Sequence, residues 1–437
     1  MNVLKINIPI LCVLALLLSS CQFAKEEDEA SDKVVIQNNE VELAERVHVT
    51  SESIEIEITP ANKASMSRGK GQYKPENKKS EITLTLVAEV DPLVHKGAKL
   101  HATEIRIHGN KAYVSYNTQG DIFLGGVEVI DISDVDSPEL ISSAVLSDVD
   151  VNGLAIKGSS LYLAAATSSE SYSSPAILSV VKLSGGKLSE EIVTKNIASF
   201  AATDVDIFGS DVYVTSGADN GYITILSQTG LVEKNSSPLV DARSVDSDSG
   251  DIAVIAGSNG VDGESAKLIT FDKSDGSIQN TFDLAGATIK HSKSTIEVKK
   301  DKAIVAMGDG GTQLICLETG EVLKTIDNPV IEGLDAALAV ANAATAYKRS
   351  VFMANGEAGV YVAVDDENIE AKGCDTSTLE VVGRLALNNF LVDEAGARQS
   401  VNHIVYRNDV LFLAAGLGGL KVIKVEDSEA DDDGDDS

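Results

Sequence analysis

Tryptophan is absent from this 437-residue chain, and aromatic residues of all kinds make up only 4%. A sugar-binding platform of exposed indoles is therefore excluded, which leaves loop tyrosines such as Tyr116 and Tyr172 as the remaining stacking candidates. Basic residues are scarce too: 36 Lys plus Arg face 67 Asp plus Glu, a formal charge of −31. Nucleic-acid binding by phosphate neutralisation needs the opposite balance. Docking on anionic lipid through a polybasic patch needs it as well. No HExxH, GxSxG, P-loop or CxxC is present, so the common signatures of hydrolytic, nucleotide and redox chemistry are missing.

Hydrophobic residues are 43%, enough for one large all-β domain or two ordinary ones. The first segment, Met1 to Cys21, has Lys5, an apolar run from Ile8 to Leu18, and Ser19-Ser20 before Cys21. That run is shorter than the roughly 20 residues of a permanent membrane helix and reads as a signal peptide over 1–20. Leu18-Ser19-Ser20-Cys21 resembles the lipobox of bacterial lipoproteins, which implies cleavage before Cys21 and acylation of its sulfur and amine. Several acyl chains exceed the two-signal threshold for stable anchoring. The acidic run Lys25-Glu26-Glu27-Asp28-Glu29 resembles the surface-export signal of Bacteroidetes lipoproteins, although a solvated tether would have the same composition. The resemblance implies an outer-membrane, surface-facing protein held by lipid.

Behind Cys21, residues 21–80 read as a partly disordered tether, with alternation good enough for one or two strands over Val47 to Ile58 and a basic linker over Lys63 to Lys79. Residues 427–437 form an acidic, self-repelling tail.

Between them, over 81–426, lies an internal repeat. An apolar triplet recurs around Tyr113, Tyr162, Tyr213, Val254, Ile304, Phe352 and Phe412, at intervals of 49, 51, 41, 50, 48 and 60. Each triplet follows an alternating strand and a tight turn, and precedes a Gly-rich turn and a third strand. A fourth strand closes six units, as over Ser277 to Leu284 and Glu321 to Asp327. The seventh unit ends without one, whereas Ile82 to Val90 is a strand without a unit. The expectation is an all-β, seven-bladed propeller of four-stranded blades whose N-terminal strand closes the last blade and leaves no long open edge. Six or eight blades remain open because the last interval is long.

Gly125-Gly126-Val127-Glu128-Val129-Ile130-Asp131-Ile132 and Gly418-Gly419-Leu420-Lys421-Val422-Ile423 resemble the LVIVD repeat of secreted and surface propellers. Leu317 to Leu323 looks more like a quinoprotein-type turn, but no Trp follows, so quinone docking is not implied.

The first strand of each blade lines a propeller's channel, so equivalent positions form rings. One ring reads Glu104, Gly153, Asp204, Ser244, Thr295, Thr345 and His403. The next reads Arg106, Ala155, Asp206, Asp246, Glu297, Tyr347 and Val405. With Arg243 and Asn402 these make an acidic channel mouth. Converging carboxylates suit Ca²⁺ or Mg²⁺ or a polar ligand. The simpler reading is a hydrated channel in which Glu104 pairs with Arg106 and Asp246 with Arg243. No metal is assigned and no cofactor is expected beyond weak Ca²⁺ at the acidic tail, where Glu429 to Gly434 begins like an EF-hand loop. Asp246 to Asp251 reads as a hairpin rather than a calcium loop. Cys316 fits a buried strand position, and a disulfide with Cys374 stays open.

Two functions follow. The first is a non-enzymatic, surface-anchored scaffold that binds a protein or polysaccharide partner through loops such as Ala166 to Ser174 and Asp365 to Leu379, or through the channel mouth. The second is a polymer-acting hydrolase or lyase using His403, Arg243 and Glu104. Fold alone does not separate them.

Overall fold

Alternating β-branched and aromatic residues broken by Gly and Asp turns give hairpin after hairpin, and the outcome is seven antiparallel blades in sequence order. The computed structural model describes residues 33–57, 82–118, 120, 122–217, 220–248, 251–258, 264–272, 275–284, 292–375, 377–385 and 399–427. The signal segment, Cys21, the linker over 63–79 and most of the acidic tail lie outside the described residues.

Blades 1 to 6 each begin with an innermost strand: His101–His108, Val149–Lys157, Ala202–Phe208, Ala242–Asp248, Ile296–Lys299 and Ala343–Tyr347. Blade 7 starts at His403–Arg407, continues through Val410–Ala414 and Leu420–Asp427, and takes Ile82–Val90 as its fourth strand. Leu420 pairs with Val90 and Lys424 with Thr85, so segments at least 330 residues apart close one sheet. The expected seven-blade count and the closure by the N-terminal strand both hold.

The core is not central. It is split into seven apolar layers, each between two neighbouring blades. Leu84 and Leu86 of the closing strand pack against Val362 and Leu385 of blade 6, whereas Val87 and Val90 face Ile105 and Tyr116 of blade 1. The closing strand thus seals two layers as well as an edge. Gly126 sits where an added Cβ would lie 2.3 Å from Leu93 Cδ2 and 2.5 Å from Ala144 O, which explains the glycine there. Tyr116, expected in a loop, is instead wholly buried in the strand Lys111–Asn117, because its ring fills the layer between blades 7 and 1.

The segment read as a tether is structured over residues 33–57. Val34–Gln37 adds a fifth strand to the edge of blade 1, opposite Glu139–Ser147. A short helix, Glu40–Ala44, capped by the Asn39 side chain, buries Leu43. Val47–Ile54 pairs with the closing strand, and Ile56–Glu57 with Glu380–Leu385 of blade 6. The segment therefore runs as a belt around three consecutive outer edges and covers their free hydrogen-bonding groups. Arg46 fastens it: its guanidinium pairs with the fully buried Glu128 of blade 1 at 2.5 Å.

The expected blade-6 insertion is held down by a disulfide. Cys316, in the third strand of blade 5, is bonded to Cys374. Two cysteines 58 residues apart carry no pairing information by themselves, and the contact exists only because the insertion folds back over blade 5.

Up-and-down blades place two kinds of turn on opposite faces. The turns between strands one and two, and three and four, form a hairpin face. The turns between strands two and three, and the links to the next blade, form a crossover face. The two loops singled out from the sequence fall on different faces: the loop near Ala166 to Ser174 on the crossover face, Asp365 to Leu379 on the hairpin face.

Candidate functional site

The innermost strands bring Glu104, Asp204, Asp206, Asp246, Glu297, Arg106 and His403 to the channel as the spacing predicts. In blade 6 the register differs by two residues. Thr345 pairs with Phe352 as Arg106 pairs with Tyr113, so the ring positions there are Ala343 and Thr345, not Thr345 and Tyr347. A shift of two keeps every side chain on the same face, so alternation alone does not reveal it. Tyr347 instead stacks on Tyr406, with ring centroids 4.2 Å apart.

Four of the channel carboxylates are engaged by the following blade. Asp204 accepts from Ser244 Oγ at 2.6 Å and from the Val245 amide at 3.1 Å. Asp206 accepts from Ser247 Oγ. Asp246 accepts from the Val298 amide at 2.7 Å. Glu297 accepts from Thr345 Oγ1 at 2.8 Å and the Ala346 amide at 2.9 Å. Arg106 donates to Leu154 O at 3.1 Å and pairs with Glu104 at 3.0 Å, as the sequence reading expected. Gly153 makes room for this network: a Cβ there would stand 2.8 Å from Asp204 Cα.

One residue upstream lies a second set of latches that sequence reasoning missed. Thr103 donates to Val151 O, Asn152 to Ala202 O, Thr203 to Ala242 O, Arg243 to Ser292 O, Asn342 to Val401 O and Asn402 to Ala102 O. Equivalent side chains thus tie six of the seven blade junctions, and the last of them closes the ring. Arg243 belongs to this set, and its Nε lies 2.5 Å from Asp241, where Asp246 had been expected as its partner. The signal was in the sequence: polar residues recur immediately before the channel position.

Lys293 was also missed because it lies outside the repeat, in the link between blades 4 and 5. It reaches across the channel at the crossover end, where its Nζ contacts Glu104 at 2.5 Å, Asn152 O at 2.8 Å and Thr103 O at 3.1 Å. On the hairpin side the channel opens as a cavity of about 530 Å³, with Arg106, Asp246, Glu297, Lys299 and His403 on its walls and Glu370 of the insertion at its rim. Lys302 donates to Ile369 O and Ala371 O of the same insertion.

Burial works against the charge on Glu104, but Lys293 and Arg106 overcome it and hold the carboxyl at about 2. Asp204 is pushed up to about 7 by burial and then by Glu104. Asp206, Asp246 and Glu297 are raised mainly by burial as well. His403 is driven down to about 3 by burial, so its imidazole is neutral, and its buried Nδ1 has no hydrogen-bond partner among the described residues. The buried acids outnumber the cations, and backbone amides and hydroxyls stabilise what the cations do not. Among the described residues, no three His, Cys, Asp or Glu converge to hold a metal ion. Asp246 and Asp248 lie in a strand paired antiparallel with the next, Asp248 opposite Asp251, as a hairpin requires.

No family model and no curated protein sequence matches the chain. Solved structures do. The WD40 repeats of RRP9 align with a TM-score of 0.53 at 11% identity, over 79% of this chain and 98% of that one. U3-55K aligns with a TM-score of 0.54 at 11% identity, over 79% and 98%. At this identity the likeness concerns the fold alone. The protein is a seven-bladed β-propeller with WD40-like structural neighbours, a fold compatible with a non-enzymatic binding scaffold.

Proposed function

We propose that this protein is a lipid-anchored, surface-facing propeller of the outer membrane that binds a protein or polymer partner without catalysing a reaction. The Cys21 lipobox and the acidic run behind it support the anchor and its orientation, and the two Gly-Gly segments support a likeness to LVIVD-repeat surface lipoproteins of Bacteroidetes.

The observation that carries the binding reading is the use of the channel acids. A hydrolase needs a base within hydrogen-bond reach of a group that orients it. Here Glu104 is held by two cations, His403 Nδ1 has no such partner among the described residues, and Arg243 works as a blade latch. Glu104 and Arg243 tie separate parts of the ring together. A stitched ring is a rigid mount for loops, and loops on rigid mounts are where recognition concentrates.

Cys21→Ala tests the anchor. The variant should leave the membrane fraction, and surface biotinylation of intact cells should label the parent chain. Retention of the variant on membranes overturns the lipid anchor, and an unlabelled parent overturns surface exposure.

A further inference from the structure

Large apolar side chains exposed in the described turns and links are distributed unevenly. Val94, Ile122, Phe200, Val240, Val330 and Leu338 all stand on the crossover face, whereas Val232, with Ile278 and Val322 at the adjoining strand ends, stands on the hairpin face. Val330 is 99% exposed, Ile122 69% and Phe200 58%. These residues come from links and turns of blades 1, 2, 3 and 5 to 7, so they ring the face rather than mark one weak loop. Apolar tips gathered on one face beside charged side chains are the material from which a recognition surface is built.

The chain itself leads to the same face. Val34 pairs with Leu146, and the Ser147 amide donates to Lys33 O at 2.9 Å, which places residue 33 at the crossover rim of blade 1. Eleven residues separate Lys33 from Cys21, a reach of at most about 40 Å. A chain coming from Cys21 therefore enters the propeller at its crossover rim, within that reach of its anchor. Charge selects the occupant. Among the described residues, Glu170, Asp309, Glu332 and Asp335 stand among the apolar tips, and the exposed lysines Lys33, Lys96 and Lys99 stand at the blade 1 rim and in the blade 7 to blade 1 link. An acidic face on a chain of −31 is repelled by anionic headgroups, whereas a protein with a basic contact surface is attracted.

We propose that the crossover face docks a protein seated in the same membrane, whose contact surface carries apolar side chains rimmed by Lys and Arg. This rests on the lipid-anchor reading of Cys21.

The test places the photo-crosslinker p-benzoylphenylalanine at 122, 200 and 330 on one face, and at 232 on the other, in the full-length chain in native cells. The three crossover positions should give an adduct with the same membrane protein, with the linked peptides rich in Lys and Arg, and position 232 should give none. The triple variant Ile122→Asp, Phe200→Asp, Val330→Asp should cut recovery of that partner at least tenfold while leaving the unfolding midpoint unchanged. Adducts with lipid, adducts with a second copy, adducts from 232 alone, or no adducts overturn the proposal. Cys21→Ala separates the two readings: a variant that stays on the membrane sinks the anchor, whereas a released variant with an adduct-free parent sinks only the docking face.

Discussion

Lys293 and Glu104 lie 189 positions apart and meet at 2.5 Å across the propeller channel. A link residue between blades 4 and 5 thereby neutralises a fully buried carboxylate of blade 1. Removing one partner of a buried pair leaves an uncompensated charge, at a cost of about 3 kcal/mol. Lys293→Met should lower stability by about that much in urea unfolding. Glu104→Gln in the same background should recover part of the loss, giving a coupling energy of about 1 kcal/mol or more. Strict additivity would show that the pair is incidental.

Asp204 gives the channel a pH signature. Its carboxyl is pushed up to about 7 in the folded chain, against roughly 3.9 when unfolded. The folded state holds a proton that the unfolded state releases, so this contribution is complete below about pH 4 and is lost as pH rises through 7. Glu104, held at about 2, acts in the opposite sense: its contribution is present above roughly pH 4.3 and is lost as pH falls through 2. Asp204→Asn should flatten the decline in stability between pH 4.5 and 8, measured by urea unfolding at several pH values. An unchanged slope would rule out Asp204 as its source.

The belt and the closing strand should separate in deletion experiments. Removing 33–57 strips fifth strands from three edges and the Arg46–Glu128 pair but leaves the ring closed. That variant should unfold cooperatively at a lower midpoint. Removing Ile82–Val90 opens blade 7 and two apolar layers, and should give aggregation or a broad, non-cooperative transition. Similar unfolding of that variant and the parent would show that the ring closes in another way.

The Cys316–Cys374 bond should contribute about 2–4 kcal/mol by limiting the unfolded chain. Reductant or Cys374→Ser should lower the free energy of unfolding by that much and bring the unfolding midpoint down with it. Proteolysis of the variant should begin in the insertion, within 366–379. A midpoint indifferent to reductant would mean that the bond does not form in solution.

Blade number, strand order and closure were legible because each depends on a local pattern that repeats every 41 to 60 residues. The belt was less so. Val34–Gln37 is four residues long, and its partner Glu139–Ser147 lies more than a hundred positions away. The channel rings were legible in six blades and displaced by two residues in the other, since such a slip preserves the apolar face. Lys293 sits in a link with no counterpart in other blades, so no alignment of units pointed to it. The latches from Thr103 to Asn402 were visible as recurring polar residues, but their meaning needed the carbonyls of the next blade.

The belt has a mechanical consequence. A pull arriving through the N-terminal end meets Val34–Gln37 first, then the Arg46–Glu128 contact, then Val47–Ile54 and Ile56–Glu57, and only afterwards the strand that shuts the ring. These links lie in series outside the propeller and yield one after another, much as the strain relief on a cable takes the tug before the plug does. Drag on an anchored molecule would thus be absorbed at the rim, while the blades and the loops they carry keep their shape.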